Sequence, residues 1–108
     1  MEKVDKIYEI SGSFPKEERY SLTDQIRRSS RSVCANIAES WAKRGYPKAF
    51  VSKLTDSLAE EYETEVWLKF AVSCKYIKYE VRERIMLEYM QVRKMLIAII
   101  KRPEKFCH

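Results

Sequence analysis

The sequence of 108 residues is long enough for one domain with a single modest core. Its hydrophobic share of 45% excludes a disordered chain, and its 2 glycines and 3 prolines are too few for a protein rich in strands. A net charge of +5 mildly favours anionic partners.

A short first helix is predicted over about residues 2–10, with Val4, Ile7 and Tyr8 as its apolar positions. The residues Ser-Gly-Ser that follow end it, and Pro15 lies in a connector where a helix would stall. This segment is short and weakly apolar.

The second helix is predicted over about residues 21–44. Ser21 followed by Asp24 resembles a capping box, with Asp in place of the usual Glu or Gln. One apolar stripe then recurs at helical spacing: Leu22, Ile26, Val33, Ile37 and Trp41. Gly45 stands where a left-handed residue commonly ends a helix.

Two further helices are predicted over about residues 47–74 and 79–101, and a loose tail is expected over 102–108. Pro47 suits the first turn of the third helix. Because short connections make neighbouring helices antiparallel, the sequence predicts an all-α, up-and-down antiparallel four-helix bundle with a short first helix, as one domain over residues 1–108.

The fourth helix carries two apolar seams. The first consists of Val81, Ile85, Tyr89, Val92, Leu96 and Ile99, and the second of Met86, Met90, Ile97 and Ile100. A helix in an isolated small bundle needs only one apolar face. We therefore predict that a second copy covers the extra seam, with Trp67 in the same oligomer interface. A tight monomer with a wide core is the alternative.

No apolar run approaches the ~20 residues of a membrane span, so a cytoplasmic protein without membrane contact is expected. Cys34 and Cys74 are interpreted as reduced core residues, and Cys107 as part of the tail. With His108 as the single histidine, these cysteines have no metal-ligand spacing. We predict no bound metal and no cofactor.

The sequence contains no motif that carries catalysis: it lacks a glycine-rich phosphate loop, HExxH and a nucleophile elbow. Glu61 and Glu65 share a face of the third helix, and we interpret them as salt-bridge partners and solvated surface. The sequence therefore predicts no catalytic residue, no enzyme activity and no small-molecule substrate.

A basic side of the second helix is the candidate binding surface. It consists of Arg27, Arg28, Arg31, Lys43 and Arg44. Arg27 and Arg31 are one turn apart, a spacing that suits phosphate oxygens and predicts nucleic-acid binding. In the structural alternative, the arginines pair with glutamates of the third helix and pin two helices together. Trp41 and Trp67 are interpreted as core or interface anchors rather than base-stacking platforms.

The run FPKEERYSLTDQIRRSSRSVCANIAES, residues 14–40, closely resembles the signature of the four-helix-bundle family of 23S rRNA intervening-sequence proteins. AFVSKL at 49–54, ETEVWLKFA at 63–71 and the corner at 76–77 continue the likeness, which covers about residues 7–100. The part from Tyr20 to Glu39 is the most specific.

The resemblance implies a bundle that assembles into barrel-like homopentamers. Some members are encoded inside intervening sequences of bacterial 23S rRNA genes, and a related branch serves as the accessory protein of diversity-generating retroelements, which works with a reverse transcriptase and RNA. For most members the molecular function is not established, and no enzyme activity is attributed to the family. Its motif marks Gln25, Arg27, Arg28, Asn36 and Glu39 as typical without assigning roles.

Three features depart from the family pattern. The family's first helix is usually longer, whereas about six residues precede Ile7 here, which would leave the groove of the bundle partly open. Ser40 replaces a common glycine, and Lys78 replaces a serine that usually caps the fourth helix, so that cap should be weaker.

Together these patterns predict a homo-oligomer, a pentamer in the family pattern, that binds RNA or a nucleoprotein partner through shape and phosphate contacts. A protein–protein scaffold and a mobile-element passenger protein are the competing interpretations.

Overall fold

The fold consists of four α-helices, and the computed structural model describes the backbone of residues 2–107 and the side chains of residues 6–107. The helices are α1 (Glu2–Ser11), α2 (Leu22–Ala42), α3 (Pro47–Ser73) and α4 (Tyr79–Lys101). Single 3-10 turns cover Lys16–Glu18 and Pro103–Lys105, and the described residues contain no strand. The predicted all-α four-helix fold is confirmed; the side chains of Val4 and His108 lie outside the described part.

Helices α2 and α3 run antiparallel, as their hydrogen bonds demonstrate. The Ser57 hydroxyl donates to the Val33 carbonyl at 2.8 Å, and the Thr64 hydroxyl donates to the Ser29 hydroxyl at 2.8 Å. Residue numbers thus rise along α3 as they fall along α2. Because these side chains are small, the two backbones approach closely, and every buried hydroxyl in the seam has a partner.

The core consists of two clusters, one at each end of the bundle. The first lies where all four helices meet, and its buried residues are Ile7, Phe14, Leu22, Ile26, Leu68, Ala71, Ile85, Met86 and Tyr89. The second lies beyond the reach of α1 and is built on Phe50, Leu54 and Leu96. With 10 residues, α1 is only about 15 Å long, which explains why one end has three helices.

The C-terminal tail is ordered, so the predicted loose tail is wrong for the described residues. After the 3-10 turn at Pro103–Lys105, Phe106 and Cys107 pack against the second core cluster. The apolar ring of Phe106 has surface available there because α1 does not cover that end. One further burial prediction is also wrong, since Cys74 is exposed at the end of α3. Trp41, predicted as a core or interface anchor, is 49% exposed and is therefore not a core residue.

The left-handed helix end occurs on α3 and not on α2. No described glycine has a positive φ, so the expectation for Gly45 is wrong. Lys75 has a φ of 62°, its N–H bonds to the Val72 carbonyl, and the N–H of Tyr76 bonds to the Ala71 carbonyl. This is the Schellman pattern, in which two backbone bonds outweigh the cost of a left-handed residue with a Cβ. At the start of α4, Lys78 makes no side-chain capping bond.

The second apolar seam of α4 is largely covered by the chain itself, which corrects its predicted exposure. Met86 is buried, Met90 and Trp67 pack on the first cluster, and Ile100 packs on the second. Ile97 is half-buried. Exposed apolar residues occur on several elements, α4 included, and those of α3 recur at steps of four residues: Tyr62, Val66 and Phe70, here called the α3 stripe.

Glu61 is fully buried, and its interpretation as solvated surface is wrong. Neither carboxyl oxygen has a hydrogen-bond partner among the described residues. Burial, then the neighbouring carboxyl of Glu65, raises the pKa of Glu61 to about 9, while the charge of Arg93 opposes the rise. Arg93 itself donates to both oxygens of Glu65, at 2.9 and 3.2 Å. Glu61 is therefore a neutral acid at pH 7.

We expect Glu61 to make the protein less stable as the pH rises. Between pH 4.5 and about 9 the unfolded chain has lost this proton while the folded chain keeps it, so the free energy of unfolding is largest below this window and falls across it. One group contributes a slope of at most about 1.4 kcal/mol per pH unit. Urea titrations across the window measure this slope.

The matched variants are Glu61→Gln, which keeps a neutral side chain of similar size, and Glu17→Gln in the exposed connector. Glu61→Gln should flatten the pH dependence, and Glu17→Gln should not. If Glu61→Gln retained the wild-type slope, the buried carboxyl would already be ionised in the folded state.

Candidate nucleic-acid interface

A cleft of about 760 Å³ opens between α1, the connector that follows it and the first half of α2. Its cationic side chains are Lys16, Arg19, Arg27, Arg28 and Arg31, and its carboxylate is Asp24. We call it the basic cleft. Arg28 already pairs with Asp24 at 3.2 Å, so four cationic groups are left without a carboxylate within the lining. Such a concentration of one sign of charge in a concave surface attracts anions.

Glu18 holds the connector that supplies two of these cations. Its carboxylate accepts hydrogen bonds from the Ser21 hydroxyl, from the Tyr76 hydroxyl at 2.8 Å and from the Leu22 N–H at 3.3 Å. These bonds, that of Ser21 first, lower the pKa of Glu18. The predicted capping box of Ser21 and Asp24 is therefore wrong, because the charged carboxylate of Glu18 takes the donors at the start of α2.

Arg27 forms the wall of the cleft next to α1. Its Nε donates to the Ser11 hydroxyl at 2.7 Å, and its Nη2 lies 3.4 Å from the Tyr8 carbonyl oxygen. Its guanidinium carbon is 4.0 Å from the centroid of the Tyr8 ring, and that of Arg31 is 5.5 Å from the same ring. Two edges of Arg27 are thus fixed by α1, while its Nη1 makes no hydrogen bond to a described residue.

The arginines were predicted, as an alternative to phosphate binding, to pair with glutamates of α3, and the structure gives Arg27 a different structural contact. Among the side chains of residues 6–107, no ion pair joins Arg27, Arg28 or Arg31 to a glutamate of α3. Arg27 does pin two helices together, but these are α1 and α2. Burial, then the charge of Glu63, raises the pKa of Glu60 on α3, while the charge of Arg28 opposes the rise, yet Glu60 and Arg28 form no ion pair.

The structure brings together only part of the predicted set. Arg44 lies 13 positions beyond Arg31, about 20 Å along the chain, and Lys43 accompanies it at the far end of α2. Sequence reasoning missed Lys16 and Arg19, which join the cleft from the connector. Their signal was present in the segment PKEER, where basic residues immediately precede a helix start.

The arrangement suits the binding of an anion. Guanidinium groups are rigid, permanently charged donors that match phosphate oxygens, and the hydroxyls of Thr23 and Ser32 lie in the same lining. Within the described part of the chain, no group of three or more His, Cys, Asp or Glu side chains could hold a metal ion. Nor does any helix described there have the length and apolar character to cross a membrane.

These features define a small helical bundle with a basic cleft between its first two helices. The chain belongs to the 23S rRNA-intervening sequence protein family, which matches residues 1–98. It is similar to the crystal structure of a protein of unknown function from the S23 ribosomal protein family of Bacteroides thetaiotaomicron, with a TM-score of 0.78 and 32% identity. That likeness covers 91% of this chain and 88% of the other. No curated protein matches the chain.

Replacing Arg27 by alanine should destabilise the fold by about 2 kcal/mol, because it removes a charged hydrogen bond to α1 and the contact with the Tyr8 ring. Arg28→Ala is the matched control. Its ion pair is exposed, with side-chain accessibilities of 68% and 48%, so a change below about 0.5 kcal/mol is expected. Urea unfolding measures both, and equal losses would contradict the role of Arg27 in holding α1.

Proposed function

We propose that this protein is a non-enzymatic, homo-oligomeric bundle that binds RNA, free or in a nucleoprotein, through phosphate contacts in the basic cleft. The observation that carries the proposal is the cleft itself: five cationic side chains face one carboxylate, which is already paired. The name of the family, which refers to an intervening sequence of 23S rRNA, agrees with an RNA ligand.

Several properties of the cleft favour phosphate over other anions. Phosphate groups of a nucleic acid repeat at short intervals, and several cations at fixed positions can contact successive ones. Arg27 is held by α1 before any ligand binds, so little side-chain freedom is lost on binding. The hydroxyls in the lining add neutral donors. We infer recognition of backbone and shape in this cleft rather than reading of base edges.

We place the protein in the bacterial cytoplasm. Its three cysteines are free, which suits a reducing compartment, and RNA is abundant there.

Salt dependence separates RNA binding from a scaffold with structural arginines. Neutralised phosphates release counterions, so the affinity for a labelled stem-loop RNA should fall steeply with salt. The double variant Arg19→Gln, Arg31→Gln removes two contacts and should flatten the slope of log affinity against log salt by about 1.4 to 1.8. Fluorescence anisotropy at several salt concentrations measures this slope.

The matched control is Lys69→Gln, Lys94→Gln, which removes the same charge from exposed positions of α3 and α4. This control should retain the wild-type slope. Equal slopes for the two double variants would mean that RNA responds to net charge alone, and the assignment of the cleft would fail.

The oligomer is proposed to form through the α3 stripe rather than through the seam on α4. Tyr62, Val66 and Phe70 are each 45–51% exposed, an unusual fraction for a continuous apolar row on a small protein. Trp67 lies at its edge, with its ring 5.8 Å from that of Phe70. A second copy would cover this row, and a closed ring of such contacts gives the pentamer of the family pattern.

Light scattering should therefore return a mass of about 65 kDa, five times 12.9 kDa. Val66→Glu should reduce the mass to that of the monomer while the helical signal persists, because a charge cannot be buried in an apolar contact without cost. Leu87→Glu, at an exposed apolar position of α4, should leave it unchanged. A wild-type mass near 13 kDa at micromolar concentration would exclude the oligomer.

A further inference from the structure

A second cationic surface lies at the corner between α2 and α3, residues 41–48. It carries the cations Lys43, Arg44 and Lys48, and the sequence WAKRGYPK contains no acidic residue. Two aromatic side chains stand exposed among them, Trp41 at 49% and Tyr46 at 70%. Here, in contrast to the basic cleft, aromatic rings and cations share one exposed surface.

The charge of this corner is not neutralised from outside. The nearest preceding acid in the sequence, Glu39, pairs with Lys53 at 2.7 Å. None of the ion pairs among the described side chains involves Lys43, Arg44 or Lys48. The corner therefore presents three positive charges beside its two rings.

Arg44 holds the Trp41 indole in place. Its guanidinium carbon lies 4.0 Å from the centroid of the Trp41 ring, and its Nε donates to the Trp41 carbonyl oxygen at 3.2 Å. The other tryptophan, Trp67, packs against the first core cluster and donates its N–H to Glu63 at 3.2 Å. Trp41 is thus the tryptophan left at the surface, already stacked with a cation.

A structural role explains only part of this surface. Lys43 and Arg44 lie at the C-terminus of α2, where cations offset the negative end of the helix dipole. That effect requires no exposed aromatic ring, and it does not involve Lys48 in the first turn of α3. An apolar protein partner on Trp41 would desolvate the neighbouring cations without compensating them. The combination matches a ligand that offers flat apolar faces joined by anionic groups.

We propose that this corner binds single-stranded nucleic acid, with a base stacked on Trp41 and phosphates held by Lys43, Arg44 and Lys48. Aromatic stacking flanked by cations is how proteins bind single strands without reading their sequence. This inference rests on the proposed function only in assuming a nucleic-acid ligand, since the corner lies at the other end of α2 and uses a different contact from the basic cleft.

The two sites lie on the same side of α2. Trp41 follows Arg27 by 14 positions, which is close to four helical turns and a rise of about 21 Å. At about 3.4 Å per stacked nucleotide, roughly six nucleotides span that distance. A strand of about ten nucleotides can therefore reach both sites, and one of about three cannot. Occupying both should raise the affinity well above that of either site.

Trp41 fluorescence tests the corner directly. The chain contains two tryptophans, so Trp67→Phe leaves Trp41 as the single emitter, and Trp41→Phe leaves Trp67. A ten-nucleotide oligouridylate should quench Trp41 emission and leave Trp67 emission unchanged. If Trp67→Phe does not fold by circular dichroism, the difference between wild type and Trp41→Phe provides the same readout.

Affinity gives the second measurement. Trp41→Ala should weaken binding of the oligouridylate by about tenfold or more, as is typical of losing one stacked base. Tyr79→Ala removes an exposed aromatic ring at the start of α4 and should have no effect. An RNA duplex of the same length should quench less, because its bases are not free to stack.

Three results would overturn the proposal: quenching of Trp41 by the duplex equal to that by the single strand, quenching by polyphosphate or by anionic vesicles equal to that by the oligonucleotide, or unchanged affinity in Trp41→Ala. If RNA binding in the basic cleft were wrong, the result would differ from these three. Arg19→Gln, Arg31→Gln would then bind stem-loop RNA normally, while oligouridylate still quenched Trp41.

Discussion

The docking of α1 on α2 is the interaction on which the rest of the structure depends. Ile7 enters the first core cluster from α1, and Arg27 reaches back from α2 to Ser11 and Tyr8. The same contact that completes the core therefore builds one wall of the basic cleft. Arg27 has both roles because a guanidinium presents several donor edges, of which α1 occupies two. Stability and the proposed phosphate binding are consequently linked at this residue.

Polar groups specify how the remaining elements meet. Glu18 joins the connector to the start of α2 and to Tyr76 at the corner before α4, and the bond to Tyr76 raises the pKa of that hydroxyl to about 12. Between α2 and α3, buried hydroxyls replace apolar side chains and let the backbones lie close. The short α1 leaves one end to three helices, and Phe106 of the C-terminal segment packs there. Each of these contacts is local, and together they leave one side of α2 exposed.

Sequence periodicity predicted the helices well and the surfaces poorly. The starts of α3 and α4, at Pro47 and Tyr79, agree with prediction because a proline and a break in the apolar pattern act locally. The second seam of α4 was predicted as uncovered, yet Met86 is buried, since periodicity reveals a wide apolar face without revealing what packs on it. Of the predicted basic residues, three arginines do share a cleft, whereas Lys43 and Arg44 lie at the other end of α2.

The sequence by itself determined the number of helices, their class and their family, because helical spacing and a long specific motif are properties of the chain in one dimension. Only the tertiary structure decided which polar groups are buried and which cations converge. In the sequence, Glu61 lies among other glutamates that are typical of a solvated helix face. Its burial follows from the rotation of α3 against its neighbours. Lys16 and Arg19 join the arginines of α2 because Glu18 folds the connector back. Such encounters depend on packing between segments, which a pattern within one segment does not contain.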